Sequence, residues 1–569
     1  MRLTGFIALA GAFRLAFASP VWAAETPVSA ENIVVDLSLF VYRVPHLDAY
    51  GTKLTGAELA GMFDSKSPGT LDERLGRLTA ARIVIPEMIV ESKPGAADRQ
   101  RIVYHDMTLE DVVGGRVGAS RTASIDQTFD LAKGGRYDAH WGRAVDKGLD
   151  LRQIARVTSQ TRSDEKEALK TIDDETVIEN VVISSPDSKF ELRFGRMTAS
   201  GVKARAFAEL PSRMMEKLGA PDAKPVAEDP ESLLRVALDV VGSFDLGGWE
   251  ARDIALSGKA SPGDKPYSVK LARAALTKLE SGVVGDITFD DLALVSTDGG
   301  SISLKRASLG GLDLRAALEG KAKRFPRVAH FDVAGLNVDL PDPKTSETAR
   351  VKIKLGAYSS DFANFLDGVP TKASSVVQHL VVDLATQAQT PTIAQAVDLG
   401  YRELDLSTTI NAEWREKTQE LAFEPVRIEA RDMALATLAA TLGDVSSNVF
   451  SENSIVSRAS MLGASARQVD FKLENPGVID RLIAQEAKKR GVAASVVRVD
   501  YAKSASAAVL TMLGDSEKSR RISAAMEKFI AAPKRLHIRL SAPKGVGVLD
   551  STKKPADILQ SIDVEATAN

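Results

Sequence analysis

The chain has 569 residues, with 73 Lys and Arg against 76 Asp and Glu, a net charge of −3 and no cysteine. With both signs dispersed, it offers no basic stripe for nucleic acid and no polybasic cluster for an anionic membrane surface. The lack of cysteine excludes disulfides, thiolate metal sites and cysteine nucleophiles. An apolar fraction of 44% is that of a folded chain rather than a disordered one.

At the N-terminus, Arg2 supplies a positive charge, Leu3 to Ala18 is mostly apolar, and Val21-Trp22-Ala23 offers a cleavage site. Residues 1–23 therefore read as a signal peptide cleaved near Ala23 or Ala24, although Arg14 interrupts the apolar run. The expected location is the periplasm. Neither this run nor any later window is long and apolar enough for a stable transmembrane helix.

Strand patterns follow. Ile33 to Val41 alternates, and so does Arg82 to Glu91, where Pro86 predicts an edge or a bulge. A phrase then recurs: an acidic or amide residue, an aliphatic residue, a spacer and another apolar residue. It appears at His105-Asp106-Met107-Thr108-Leu109, Glu179-Asn180-Val181-Val182-Ile183 and Arg252-Asp253-Ile254-Ala255-Leu256. It returns at Asp290-Asp291-Leu292-Ala293-Leu294, at Phe331-Asp332-Val333-Ala334-Gly335-Leu336 and at Arg402-Glu403-Leu404-Asp405-Leu406. Turn residues and a second alternating run follow most copies, as in Phe190-Glu191-Leu192-Arg193-Phe194 and Val351-Lys352-Ile353-Lys354-Leu355. Each unit is a predicted β-hairpin with one aliphatic and one polar face.

From Asn180 to Glu403 the phrases lie 73, 38, 41 and 71 residues apart. A helical insertion (Ser212 to Leu218, Glu231 to Val241) accounts for the first wide gap. An extra strand at Val376 to Leu384 accounts for the second, with a helical turn expected at Asp361 to Gly368. Val426 to Ala430 reads as a strand passing into a helix-like run to Ala439. Asn475-Pro476-Gly477 opens a helix over Val478 to Arg490, with Val478, Ile479, Leu482, Ile483 and Ala487 on one face. Another helical region covers Ala505 to Ala531, and Leu536 to Ser541 returns to strand.

The expected fold is mainly β with a C-terminal α/β part: repeated antiparallel hairpins in a long curved sheet with helical insertions. Four regions are expected: the signal peptide, an N-terminal β-rich region over 24–170, a hairpin repeat over 171–440 and an α/β cap over 441–569. Val182, Ile254, Leu256, Leu292, Leu294, Val333, Leu404 and Leu406 are the candidates for lining the apolar face.

Recognisable chemistry is absent. The six histidines show no HExxH frame and no i,i+4 pair. There is no nucleophile elbow, no phosphate-binding loop and no EF-hand, and Gly114-Gly115 reads as a loop or strand bend. The acidic residues Asp106, Asp253, Asp291, Asp332 and Glu403 read as a ladder of cross-strand ion pairs. The expectation is a non-catalytic protein with no cofactor and no metal. Its apolar face is either an open groove for lipid or a closed core in a structural, partner-binding envelope protein, because both arrangements impose the same alternation.

The hairpins ENVVISS…FELRFGRMTASGV and FDDLALVS…SISLKRASL, with APKRLHIRLSAP near the end, resemble the AsmA-like and DUF945-type bacterial envelope proteins. That resemblance implies a long curved sheet with a hydrophobic inner face and a role in handling lipid. It assigns no functional residue.

Overall fold

The computed structural model describes residues 26–569 except 38–39, 94–97, 132–134, 165–166, 187–189, 211–237, 260–265, 319–326, 343–348, 385–390, 548–549 and 551–552. The signal-peptide residues and most of the helical insertion read at 212–241 lie outside them. The chain is mainly β and antiparallel, with helices concentrated near the C-terminus. It divides into two compact units: residues 1–297 with 311–322, and residues 298–310 with 323–569.

The first unit begins with β1 (Val28–Leu37), β2 (Phe40–Tyr50), α1 (Gly56–Phe63), α2 (Leu71–Leu75), β3 (Ala80–Ser92) and β4 (Arg99–Val113). It continues with β5 (Arg116–Thr122), β6 (Ser124–Asp130), β7 (Arg136–Trp141), β8 (Ala144–Asp150), α3 (Leu151–Ser159), β9 (Lys170–Ser185) and β10 (Phe190–Ala204). β11 (Phe244–Asp245), β12 (Gly248–Gly258), β13 (Tyr267–Leu276), β14 (Leu279–Glu280), β15 (Val283–Val284) and β16 (Ile287–Ser296) follow.

The second unit takes β17 (Ser301–Gly310). Then β18 (Leu312–Asp313) and α4 (Arg315–Leu318) belong to the first again. The rest of the second unit is β19 (His330–Pro341), β20 (Arg350–Leu366), β21 (Val369–Asp383), α5 (Pro391–Asp398), β22 (Glu403–Arg415), β23 (Glu420–Ala430) and β24 (Ala434–Gly443). It closes with α6 (Ser454–Met461), β25 (Ser465–Glu474), α7 (Val478–Arg490), α8 (Ala494–Leu513), α9 (Glu517–Ala531), β26 (Arg535–Gly547), α10 (Pro555–Gln560) and β27 (Asp563–Ala568).

Within each unit the long strands pair with their neighbours in sequence, so each sheet is a meander. β5 and β6 lie end to end along β4, and β8 and β7 lie end to end along β9. Gly114 and Gly115, with φ of 57° and 79°, are the two-residue turn joining Val113 to its partner Arg116.

In four of its six copies the recurring phrase marks a crease rather than an ion-pair ladder; Asp332 and Glu403 keep negative φ. Asp106, Asp253 and Asp291 are left-handed, with φ of 51°, 53° and 52°, and Asn32 and Asn180 behave alike. Asp and Asn tolerate this region better than other residues with a Cβ. The carboxylates of Asp106, Asp253 and Asp291 make no ion pair among the described residues. The charged network uses their neighbours: Glu250 meets Arg273 at 2.6 Å and Arg273 meets Asp290 at 3.0 Å. Hydrogen bonds, first from Arg252 and then from Arg273, hold the Glu250 carboxyl below its usual range.

Each left-handed residue faces a residue suited to it. The pairing of β1 with β2 skips Asn32 and Pro45, and that of β3 with β4 skips Pro86 and Asp106. A missing ladder bond is where proline is tolerated inside a sheet, so Pro86 marks a crease, not an edge. For Asp253 and Asn180 the facing residue is glycine. A Cβ on Gly195 would lie 2.9 Å from Cβ of Asp253, and one on Gly142 would lie 3.3 Å from Cβ of Asn180.

The crease shifts the side-chain alternation by one residue. Phe194 and Met197, three apart on β10, pack against the same cluster as Val181 and Ile178, three apart on β9. In a regular strand such pairs point to opposite faces. Register survives, because Arg193 faces Ala255 and Arg196 faces Arg252 on either side of the crease.

Two expected helical stretches are strands. Residues 361–366 extend β20, and Asp367-Gly368, both with positive φ, is a two-residue hairpin turn from Leu366 to Val369. Residues 434–439 lie in β24, where ladders to β23 and β25 override the high helix propensity of Ala and Leu. The helix over Val478–Arg490 is present with Ile483 and Ala487 buried, and the strand at 376–384 is the end of β21.

Helices cover part of each sheet. Leu59 and Met62 of α1 and Leu75 of α2 pack into a core with Ile83, Leu109 and Val117. Thr55 and Glu58 form a capping box that fixes the start of α1. In the second unit Phe529 of α9 packs with Leu536 and Ala568 of β26 and β27.

Replacing left-handed Asp253 by Gly is expected to leave stability within about 1 kcal/mol of the parent. Asp253→Val should cost about 2 kcal/mol, because a β-branched residue resists positive φ. Urea unfolding of the two variants checks this; equal midpoints would remove the crease argument.

Candidate functional site: an uncovered apolar face

The crease sets which side chains share a face. One and three residues after each left-handed position, the side chains are aliphatic: Val181 and Ile183, Ile254 and Leu256, Leu292 and Leu294. The second unit keeps the rule with different residues at the crease. Gly335, with φ of 65°, precedes Leu336 and Val338, and His379, with φ of 53°, precedes Leu380 and Val382.

These positions form transverse rows. In the first unit Ile183, Leu192, Leu256, Val269 and Leu294 face one another across β9, β10, β12, β13 and β16. In the second, Ile302, Val338, Ile353, Val382 and Leu404 do so across β17, β19, β20, β21 and β22. Beside them Leu336, Leu355, Leu380 and Leu406 form a run of four leucines.

Every side chain in these rows is only half-buried. Among the described residues, no hydrophobic side chain of β17, β19, β20 or β21 is buried. Ile428 is 48% exposed and Ile410 is 42% exposed, so the apolar character extends onto β22 and β23 without cover. This contrasts with Ile83, 1% exposed beneath α1 and α2.

Seven of the eight candidate lining residues fall on these faces: Ile254, Leu256, Leu292 and Leu294 in the first unit, and Val333, Leu404 and Leu406 in the second. Val182 does not. It faces Arg193 and His140, on the polar side. Sequence reasoning took the second residue after Asn180, whereas the lining positions are the first and third. Leu336, Leu355 and Leu380 are not among those candidates: Leu336 and Leu355 close a phrase and a second run recognised in the sequence, while His379, before Leu380, does not resemble the acidic phrase.

Polar groups with chemical potential lie on the other face or at the crease. Asp126 accepts from His140 at 2.7 Å and is 3.0 Å from His105 Nε2, and these contacts hold its carboxyl low. Asp405, buried, is 3.2 Å from His379 and 2.9 Å from Arg431. Both are satisfied ion-pair clusters. Among the described residues, no group of three or more His, Asp and Glu is placed to hold a metal ion. Trp141 is buried and donates to Gln127, and Trp414 stacks on Phe450 at 5.1 Å and donates to the Val445 carbonyl.

No helix among the described residues is long and apolar enough to cross a membrane. Residues 427–569 match a family model whose description is "Uncharacterized protein". No curated protein matches the chain, and no solved structure does.

The open face predicts a contrast between two truncations in the first unit. Leu256→Ala should cost about 1–2 kcal/mol, since part of its side chain stays in water and its removal leaves no enclosed cavity, whereas Ile83→Ala should cost about 3 kcal/mol. Denaturant titrations of both variants measure the difference; similar costs would mean that the face is covered in solution.

Proposed function

We propose that this chain is a non-catalytic carrier of the bacterial periplasm that holds the acyl chains of lipids on its apolar sheet face. The observation that carries the reading is the uncovered five-strand row ending at Leu404, with its parallel row of four leucines. Strands lie about 4.8 Å apart, so a row of five spans roughly 19 Å. One leaflet of a bilayer core is about 15 Å deep, so an acyl chain laid along the row finds aliphatic contact over its length. Leu, Ile and Val suit such a ligand because hydrocarbon tails need only area burial and dispersion. Export is supported by Arg2, the apolar run and the Val21-Trp22-Ala23 site in the sequence.

The test is organic extraction and mass spectrometry of protein purified from a bacterial envelope fraction. Lipid is expected in the parent. A Leu355→Arg, Leu380→Arg double variant, whose residues face each other on β20 and β21, should fold and lose at least about 90% of that lipid. A lipid-free parent that instead co-purifies with one protein partner would favour a structural envelope role and sink this reading.

A further inference from the structure

The covered part of the first unit contains a polar row within its core. Leu109 of β4 faces Ser120 of β5, Ser120 faces Asp146 of β8, and Asp146 faces Thr176 of β9. Ser120, Asp146 and Thr176 are buried, and Asp173, three residues before Thr176, is 0% exposed. The Thr176 hydroxyl touches both carboxyls: it is 3.2 Å from Asp146 Oδ1 and hydrogen-bonded to Asp173 Oδ2. Having one proton, it donates to one of them at a time. Ser120 hydrogen-bonds Asp146. Asp173 Oδ1 has no hydrogen-bond partner among the described residues.

Among the described residues, no base neutralises the pair. Arg116 on β5 is engaged with Asp174 at 2.8 Å, Arg121 with Glu110, and Lys147 on β8 with Glu175. On α3, Arg152 reaches Asp150 and Arg156 reaches Glu167. The remaining titratable neighbour, Tyr104 on β4, is neutral because burial pushes its hydroxyl far up. Two carboxylates out of water, bridged by one hydroxyl and facing no cation, repel each other, and a retained proton relieves this.

The pair also lies beside the seat of α3. Asp146 lies on β8, the strand that runs directly into the N-cap residue Asp150. Asp173 adjoins Ile172 and pairs with Val202, and both of these pack with Val157 and Ile154 of α3.

We propose that Asp146 and Asp173 form a proton-held clasp that keeps α3 seated on the sheet and loosens when both are ionised. Burial, with the Asp173 charge adding to it, pushes the Asp146 carboxyl up to about 7, and burial pushes that of Asp173 up to about 6. In an unfolded chain both titrate near about 4. Between those limits the folded unit binds more protons than the unfolded chain. The contribution is therefore complete below about pH 4 and is lost as pH rises through about 6 to 7.

The experiment follows thermal unfolding and hydrogen exchange of residues 151–159 from pH 5 to pH 8.5, in the parent and in Asp146→Asn, Asp173→Asn and the double variant. Relative to the double variant, the parent midpoint should fall by about 3 °C or more over this range. Exchange of α3 in the parent, corrected for its intrinsic pH dependence, should rise about tenfold, independently of whether any variant folds. A flat difference curve with unchanged corrected exchange overturns the clasp.

Discussion

One backbone constraint recurs in both units: many of the long strands are creased at a left-handed residue, or at the Pro or Gly facing one. The left-handed state costs an ordinary L-residue about 1–2 kcal/mol, so the position selects Asp, Asn or Gly, with His379 in one strand. Its side chain leans over the neighbouring strand, and that selects Gly at 142, 195 and 356. Where the crease removes a ladder hydrogen bond, Pro45 and Pro86 are accepted within paired strands. The residue types follow from a single geometry, and a change at one level must be matched across the next strand.

The crease also explains how long strands keep one apolar face. With the alternation shifted at the same level in paired strands such as β9 and β10, aliphatic side chains above and below it share a surface. Two outward residues, such as Arg252 and Asp253, are left at the bend. Those outward positions carry the charge network of Glu250, Arg273 and Asp290. Pairs of this exposure contribute at most about 1 kcal/mol each. Their larger effect is to keep the outward residues solvated and leave the other face mainly aliphatic. Helices then cover the start of the first unit's strands and the end of the second's, while among the described residues no hydrophobic side chain of β17 or of β19 to β21 is buried. Contiguous exposed apolar surface of this kind, in a chain with otherwise ordinary composition, marks a binding surface.

Much of this was legible in the residues. The hairpins, the antiparallel β class, the helix at 478–490 and most lining positions follow from alternation and turn chemistry. The phase of the alternation did not. Arg252-Asp253 and Glu179-Asn180 look like ordinary polar positions of a two-residue period, and a count that runs through them puts Val182 on the wrong face. Asp332 and Glu403 imitate the phrase without taking positive φ, whereas Gly335 and His379 take it without imitating the phrase. Whether the face was covered was not legible either, since cover comes from segments distant in sequence. The buried meeting of Asp146 with Asp173 likewise depends on strand register, which no local pattern reveals.

The meander has a consequence for how such a chain changes length. In the second unit each long strand is zipped only to the long strands before and after it, so contacts remain close in sequence. Loop-closure entropy is then met in small steps as the sheet grows. A hairpin bearing its own crease residue, facing Gly and two aliphatic positions can be inserted or deleted between neighbours without re-registering the remainder. The length of the aliphatic strip is thereby decoupled from the stability of the helically covered ends. It is a quantity that duplication of a short segment can tune.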